Sequence, residues 1–222
     1  TGNQGFKKER HAIWAEIDGF RADMDKLSAS WTNPANVAKW TEFKAILAEF
    51  EIAQGKVEAV AKTIDEQPAT KTLVVEAAPK ASVMVAEITR IINIEASLPA
   101  TPKRKALLGM MADVRGTTAR GLANIRAFLL TGNQKFHKSF NVMWKKNIKR
   151  FAELKSHVGL MNDEQRASFA KFDAARTAFL PLPEQMFNVR GGKKWNMANY
   201  LLVTEAAPRA GKLMTILKGP KN

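Results

Sequence analysis

The 222-residue chain contains no cysteine, which excludes a disulfide scaffold, thiolate metal sites and cysteine nucleophiles. It contains one tyrosine, and no run of alternating apolar and polar residues with hairpin turns is present. No apolar run approaches the roughly 18 residues that a membrane-spanning helix needs. These absences argue against a sheet protein and against a membrane span within the sequence.

Glycine, proline and Asn/Asp clusters occur in few places, and between them apolar residues recur at spacings of three and four. That spacing is typical of amphipathic helices, so we predict an all-α fold. The predicted helices cover residues 4–29, 34–65, 68–97, 103–130, 133–158, 162–180 and 194–218. Pro79 and Pro208 fall inside otherwise helical patterns and predict a kink or break in each.

The sequence repeats itself internally. Residues 1–14 recur as 131–144 with seven identities, including the run Thr-Gly-Asn-Gln, and residues 73–81 recur as 202–210 with seven identities in nine positions. Two matches in the same order, at offsets of 130 and 129, predict two copies of one helical module.

We therefore predict two four-helix-bundle-like modules in an elongated arrangement, one in residues 1–97 and one in residues 98–222, joined near Leu98–Pro102. A long helix from Lys103 precedes the Thr-Gly-Asn-Gln turn of the second copy, whereas the first copy lacks this opening helix. The groove left in the first module is expected to be covered by a partner chain, by the helix from Lys103 or by solvent.

The net charge of +14 is confined to one part of the sequence. Residues 1–97 carry 12 basic and 14 acidic residues, whereas residues 98–222 carry 23 and 7. Such a basic segment is compatible with a solvated surface, an anionic ligand, an acidic partner or anionic lipid, and the charge alone does not rank these possibilities.

Two arginines of the helix 103–130, Arg115 and Arg126, are expected in its apolar stripe, where a charge is costly unless an anion meets it. The planar guanidinium of arginine suits a carboxylate, so we predict that both residues bind an anionic ligand. The alternatives are a guanidinium that extends to the end of the bundle, or an internal salt bridge to Asp113, Glu184 or Glu205.

A second candidate lies in the loop before the last helix. Arg190 adds positive charge there, and Trp195, Asn196 and Asn199 could line and hydrogen-bond a small ligand near the helix N-terminus. The alternative is that Trp195 is a core or hinge residue and Asn196 a helix cap.

The sequence contains no motif for metal binding or catalysis. His11, His137 and His157 do not share a helix at metal-ligand spacing, and no Gly-rich phosphate loop, nucleophile motif or acid/base pair is present. We therefore expect no metal, no cofactor and no enzymatic activity.

With these features in view, the chain resembles the periplasmic sensor region of bacterial methyl-accepting chemotaxis proteins, in particular the helical bimodular class. The resemblance rests on the repeat and on residues 111–117, 122–132, 195–202 and 205–208. It implies stacked four-helix modules, arginines that bind a small organic anion such as a carboxylate, and signalling across the inner membrane. It also implies a weak homodimer, anchored in the membrane through segments outside this sequence. The strong basic charge is not part of the family's pattern.

Two other classes of function compete with this interpretation. A basic helical module could bind nucleic acid or an acidic protein, and a structural spacer would bind nothing. We favour the sensor, for which no nucleic-acid partner is expected.

Overall fold

The structure is a computed structural model that describes residues 4–219 and is all α-helical over that range, with no strand. None of the helices in these residues is long and apolar enough to cross a bilayer. The α-helices within residues 4–219 are α1 Gln4–Ser28, α2 Pro34–Val60, α3 Pro68–Lys71, α4 Ala78–Ala96, α5 Pro102–Thr131, α6 Gln134–Ser156, α7 Asp163–Phe179, α8 Leu182–Gly191, α9 Met197–Leu201 and α10 Ala207–Lys218.

The chain divides into two compact units, whose boundaries differ from those of the sequence repeat. Unit 2 comprises Pro68–Trp195, and unit 1 comprises Thr1–Gln67 together with Asn196–Asn222. The predicted junction at Leu98–Pro102 is the turn between α4 and α5 inside unit 2. The division at 1–97 and 98–222 therefore describes the repeat and not the packing, because the last helix of the first copy packs with helices of the second.

Unit 2 is a four-helix bundle, in which α5 packs against α6 and α4 packs against both α5 and α7. One large apolar core joins these helices, with Met84, Val114, Phe172 and Met186 fully buried. Phe187 of α8 lies against Phe128 and Phe140, so the C-terminal part of the unit closes one end of that core.

Unit 1 has fewer helices and a smaller core. Its helix α2 packs against α9 and α10, and Trp14, Leu47 and Leu213 form the centre of its core. The counterpart of α5 that would complete a four-helix bundle is not among the described helices of this unit, as the repeat predicts. The turn Thr1-Gly2-Asn3 that opens the first copy lies outside the described residues.

The repeat predicted from the sequence recurs in the packing of aromatic rings. Trp14 and Phe50 lie 6.0 Å apart at an interplanar angle of 44°, and their equivalents Trp144 and Phe179 lie 5.6 Å apart at 49°. Asn33 caps α2 as its equivalent, Asn162, caps α7. The two copies therefore place equivalent residues in equivalent positions, which allows unit 1 to serve as an internal comparison for unit 2.

The predicted breaks at Pro79 and Pro208 take the form of π-helical turns. The turns span Thr72–Ala77 and Leu202–Ala206, each just before its proline. A proline has no N–H to donate to the carbonyl four residues earlier, so the α-helical hydrogen-bond pattern cannot continue unchanged. A one-residue shift of the pattern maintains the helix through both prolines.

The turn between α5 and α6 requires glycine at position 132. Gly132 has φ +69°, and a Cβ there would lie 2.9 Å from a terminal guanidinium nitrogen of Arg190. Arg190 cannot withdraw freely, because its Nε donates to the carbonyl of Leu129 at 2.8 Å.

Gly132→Ala is therefore expected to lower the free energy of unfolding by about 1 kcal/mol or more, measured by urea denaturation. Gly116→Ala is the matched control, since a Cβ at that helical position of α5 meets no atom within 4 Å. It is expected to stabilise the protein by about 0.5–1 kcal/mol. Equal effects of the two substitutions would contradict the left-handed conformation of Gly132 and its close approach to Arg190.

Candidate anion-binding site

Arg115 and Arg126 do not lie in the buried stripe of α5, so that expectation is wrong. Both side chains are exposed, and Arg115 Nε donates to Thr89 Oγ1 at 2.9 Å. The buried face is centred on Leu107 and Ile125, and at 100° per residue Arg115 and Arg126 lie about 80° and 100° from that centre. The cost of a buried charge, which was the reason to place an anion between them, does not apply to either residue.

Arg190 and Trp195 lie together, and Arg190 contacts the end of α5. The guanidinium carbon of Arg190 lies 4.3 Å from the centre of the Trp195 ring, and its Nε binds the last turn of α5 through the carbonyl of Leu129. Cations are favourable at helix C-termini, because the final carbonyls have no partner within the helix. Trp195 is 38% exposed and so is not a core residue.

Asn196 and Asn199 belong to unit 1, whereas Arg190 and Trp195 belong to unit 2. The side chain of Asn196 caps α9 by accepting from the backbone N–H of Asn199 at 2.8 Å. Its Nδ2 also donates to Glu66 Oε1 at 3.0 Å, a bond that helps to hold the pKa of Glu66 below its usual range, after the larger effect of the Lys62 backbone N–H. The capping role of Asn196 is the alternative left open by the sequence.

A different arginine is buried in the bundle of unit 2. Arg176 of α7 is only 6% exposed, and its Nε has no hydrogen-bond partner. Burial holds the pKa of Arg176 below its usual range, and the charge of Asp173 opposes this effect. Asp173 is itself paired with Lys155, at 2.7 Å. Among the described residues, therefore, no carboxylate forms an ion pair with Arg176.

Arg176 ends in a small polar layer contributed by α5 and α6. One of its terminal nitrogens lies 3.4 Å from Asn147 Oδ1, a long contact. Asn147 Nδ2 in turn donates to Thr117 Oγ1 at 2.9 Å and to Thr118 Oγ1 at 3.0 Å. Asn147 Oδ1 accepts from Arg176, and its Nδ2 is satisfied by the two threonines and by the carbonyl of Val114, so the layer provides the arginine with dipoles and no counter-charge.

Aromatic rings of α6 flank the guanidinium. Its central carbon lies 4.2 Å from the centre of the Phe151 ring and 5.7 Å from that of Trp144. Ring faces stabilise a cation by about 0.5–2 kcal/mol and exclude water from it. The Nε of this guanidinium is itself buried and has no hydrogen-bond partner.

The other buried charge of the same bundle has an ionic partner. The side chain of Glu95 is 1% exposed, and its Oε2 lies 2.7 Å from a terminal nitrogen of Arg104 and 2.8 Å from Gln165 Nε2. This bundle therefore pairs its buried acid with an arginine but leaves its buried arginine without an acid. The contrast singles out Arg176 as a buried charge of this bundle without an ion-pair partner.

The repeat shows that the fold does not need this polar pair. At the offsets of 130 and 129, Ile17 is equivalent to Asn147 and Leu47 is equivalent to Arg176. Leu47 is buried in the core of unit 1, and Ile17 packs against that core. Two aliphatic residues thus occupy the positions in one copy that an amide and a guanidinium occupy in the other. A comparison of the two copies in the sequence would have identified Arg176 by this difference.

The described residues of unit 2 therefore bring together a buried arginine, an amide, two threonines and two aromatic rings, with no carboxylate among them. No family model matches the chain, and comparisons with curated proteins and with solved structures find no significant match.

Proposed function

We propose that this chain is the extracytoplasmic ligand-binding region of a chemotaxis receptor, and that unit 2 binds a small organic anion, a carboxylate, at Arg176. The observation that carries the binding role is the burial of Arg176 without a carboxylate partner. A buried cation without an ion-pair partner is destabilising, and such a group is a candidate for binding an external anion that supplies the missing charge.

The receptor role rests on the resemblance of residues 111–132 and 195–208 to helical bimodular sensor regions. In this proposal, binding at Arg176 alters the packing of α5, α6 and α7, since the three helices meet at the polar layer. A change in their packing is the event that would be transmitted to the membrane. The weak homodimer, the periplasmic location and the anchoring segments remain predictions of the same resemblance.

A thermal-shift screen of the purified protein tests the binding role. The probes are sodium salts of mono- and dicarboxylates, amino acids and amines, each compared with sodium chloride at equal ionic strength. A ligand at 100 times its Kd stabilises the native state by about 2.7 kcal/mol, which for a unit of this size raises the melting temperature by on the order of 10 °C. Carboxylates are expected to stabilise, and amines are not.

Calorimetric titration at two salt concentrations separates this function from the competing one. A carboxylate bound at a buried site loses little affinity between 50 and 200 mM salt, whereas nucleic acid held by surface lysines loses roughly 10³-fold or more. Tight, salt-sensitive binding of DNA or RNA, with no response to any carboxylate, would contradict the sensor function. It would favour a basic helical module that binds nucleic acid. No response to any of these probes would favour a structural spacer.

A further inference from the structure

Unit 1 contains an open apolar groove of about 460 Å³ formed by α1, α2 and α10. Its lining includes Phe20, Trp31, Trp40, Phe43 and Leu217. Two of these apolar side chains are largely in solvent, since Phe20 is 69% and Leu217 is 66% exposed. A contiguous apolar surface rimmed by polar residues is a feature of interaction sites.

The equivalent surface of unit 2 is covered by α5. Ile88, the equivalent of Leu217, is fully buried, and Phe172, the equivalent of Phe43, lies in the same core as Val114 of α5. Arg150, the equivalent of Phe20, forms an ion pair with Asp113 of α5, with 2.8 Å between Nε and Oδ2. Residues that contact or lie beneath a helix in one copy are therefore uncovered in the other.

From this correspondence we infer that the groove of unit 1 binds one amphipathic α-helix, in the place that α5 takes in unit 2. The helix would present an apolar stripe to Phe43 and Leu217, and aliphatic residues where α5 presents Thr117 and Thr118. The change follows from the aliphatic pair Ile17 and Leu47, which offers no polar partner to a threonine.

The flank of this helix is expected to carry acidic residues. Arg21 and Lys39 line the groove, and Lys39 pairs with no carboxylate in the described part of the chain. Opposite charges at the edge of an interface favour the correct orientation of a partner more than they add affinity. An acid on the helix would therefore fix its register in the groove.

A fusion protein tests the inference. A second copy of residues 102–130 is placed directly before Thr1, so that the Thr-Gly-Asn-Gln run of residues 1–4 follows it as the run 131–134 follows α5. In the added copy, Thr117→Leu and Thr118→Leu match the aliphatic pair. We expect the melting temperature of unit 1 to rise by about 5 °C or more, because the added helix buries the exposed apolar side chains. Fluorescence of the apolar dye ANS is expected to fall towards its value in buffer.

Two variants of the fusion serve as matched controls. Val114→Asp with Ile125→Asp in the added copy keeps its length but removes its apolar stripe, and is expected to give no gain. Leu217→Glu places a charge in the groove at a side chain that solvent already contacts, so the fold of unit 1 should tolerate it while docking is lost. If the fusion aggregates, the same segment is titrated as a synthetic peptide against the protein and against Leu217→Glu.

The inference is overturned if neither the fusion nor the peptide changes melting temperature or dye binding. A second result would also overturn it. If the protein alone sediments as a dimer that binds no dye, and if Leu217→Glu dissociates this dimer, then the groove is an interface between two copies of the chain. An equal gain from the fusion with the two aspartates would show that the added chain stabilises the protein without entering the groove.

Discussion

Replacing Arg176 with leucine is expected to stabilise the ligand-free protein by about 1–4 kcal/mol, because it removes a buried charge that forms no ion pair. The same substitution is expected to abolish stabilisation by carboxylates. Leucine is the residue at the equivalent position of unit 1, Leu47, where it is buried in the core, so the repeat accepts an aliphatic side chain there. Urea denaturation without ligand measures the first effect, and a thermal-shift titration measures the second.

A substitution that raises the free energy of unfolding but abolishes ligand binding identifies a binding residue, whereas loss of a structural residue lowers the free energy of unfolding. Arg176→Lys is the control, since it keeps the cation but loses the planar fork that matches a carboxylate. We expect it to weaken binding while giving little of the gain in stability. The double substitution Asn147→Ile with Arg176→Leu reproduces the aliphatic pair of unit 1 and is expected to be stable and unresponsive.

Loss of stability in Arg176→Leu, with the stabilisation by carboxylates retained in that variant, would show that the arginine supports the fold and that the ligand binds elsewhere. A gain in stability is informative even before a ligand is known. It would establish that the protein maintains Arg176 at a cost in stability, as expected of functional groups.

The helices were predictable because the apolar spacing and the turn residues are local signals. The predicted ends of α1, α5 and α6 agree with the structure to within two residues, and α8 was missed because Pro181 and Pro183 made Leu182–Gly191 look like a loop. Proline in the first turn of a helix is favourable, so these prolines open α8 instead of preventing it. The repeat was also predictable, because it is visible as identities in the sequence.

The candidate site at Arg176 was not predicted, and the arginines predicted in its place were misplaced because helical phase alone did not fix which stripe of α5 is buried. Taking Arg115 as the centre of the stripe shifted the predicted face by about 80°, enough to place a flanking, exposed arginine in the core. Burial of Arg176 depends on three helices that meet only after folding, which no single-helix pattern contains. The compact units were missed for a similar reason, since a repeat indicates which segments are equivalent but not which of them pack together.

The internal repeat also predicts that one substitution, phenylalanine to alanine, has a different cost at two equivalent positions, Phe172 and Phe43. Phe172→Ala is expected to lower the free energy of unfolding by about 3–5 kcal/mol, because the ring is fully buried and its removal leaves a cavity beneath α5. Its equivalent, Phe43, lines the open groove of unit 1 and is only half-buried. Solvent can occupy the space that its ring leaves, so Phe43→Ala is expected to cost about 1–2 kcal/mol.

Both substitutions remove the same ring from the same position of the repeat, so each serves as the control for the other. Urea denaturation followed by tryptophan fluorescence measures the pair, since Trp14 and Trp40 report on unit 1 and Trp144 on unit 2. Equal costs would contradict the open groove, because they would mean that Phe43 is covered in solution as completely as Phe172. In that case the comparison should be repeated with Leu217→Glu, whose charge would expel the covering element and reduce the cost of Phe43→Ala to the value expected for a half-buried ring.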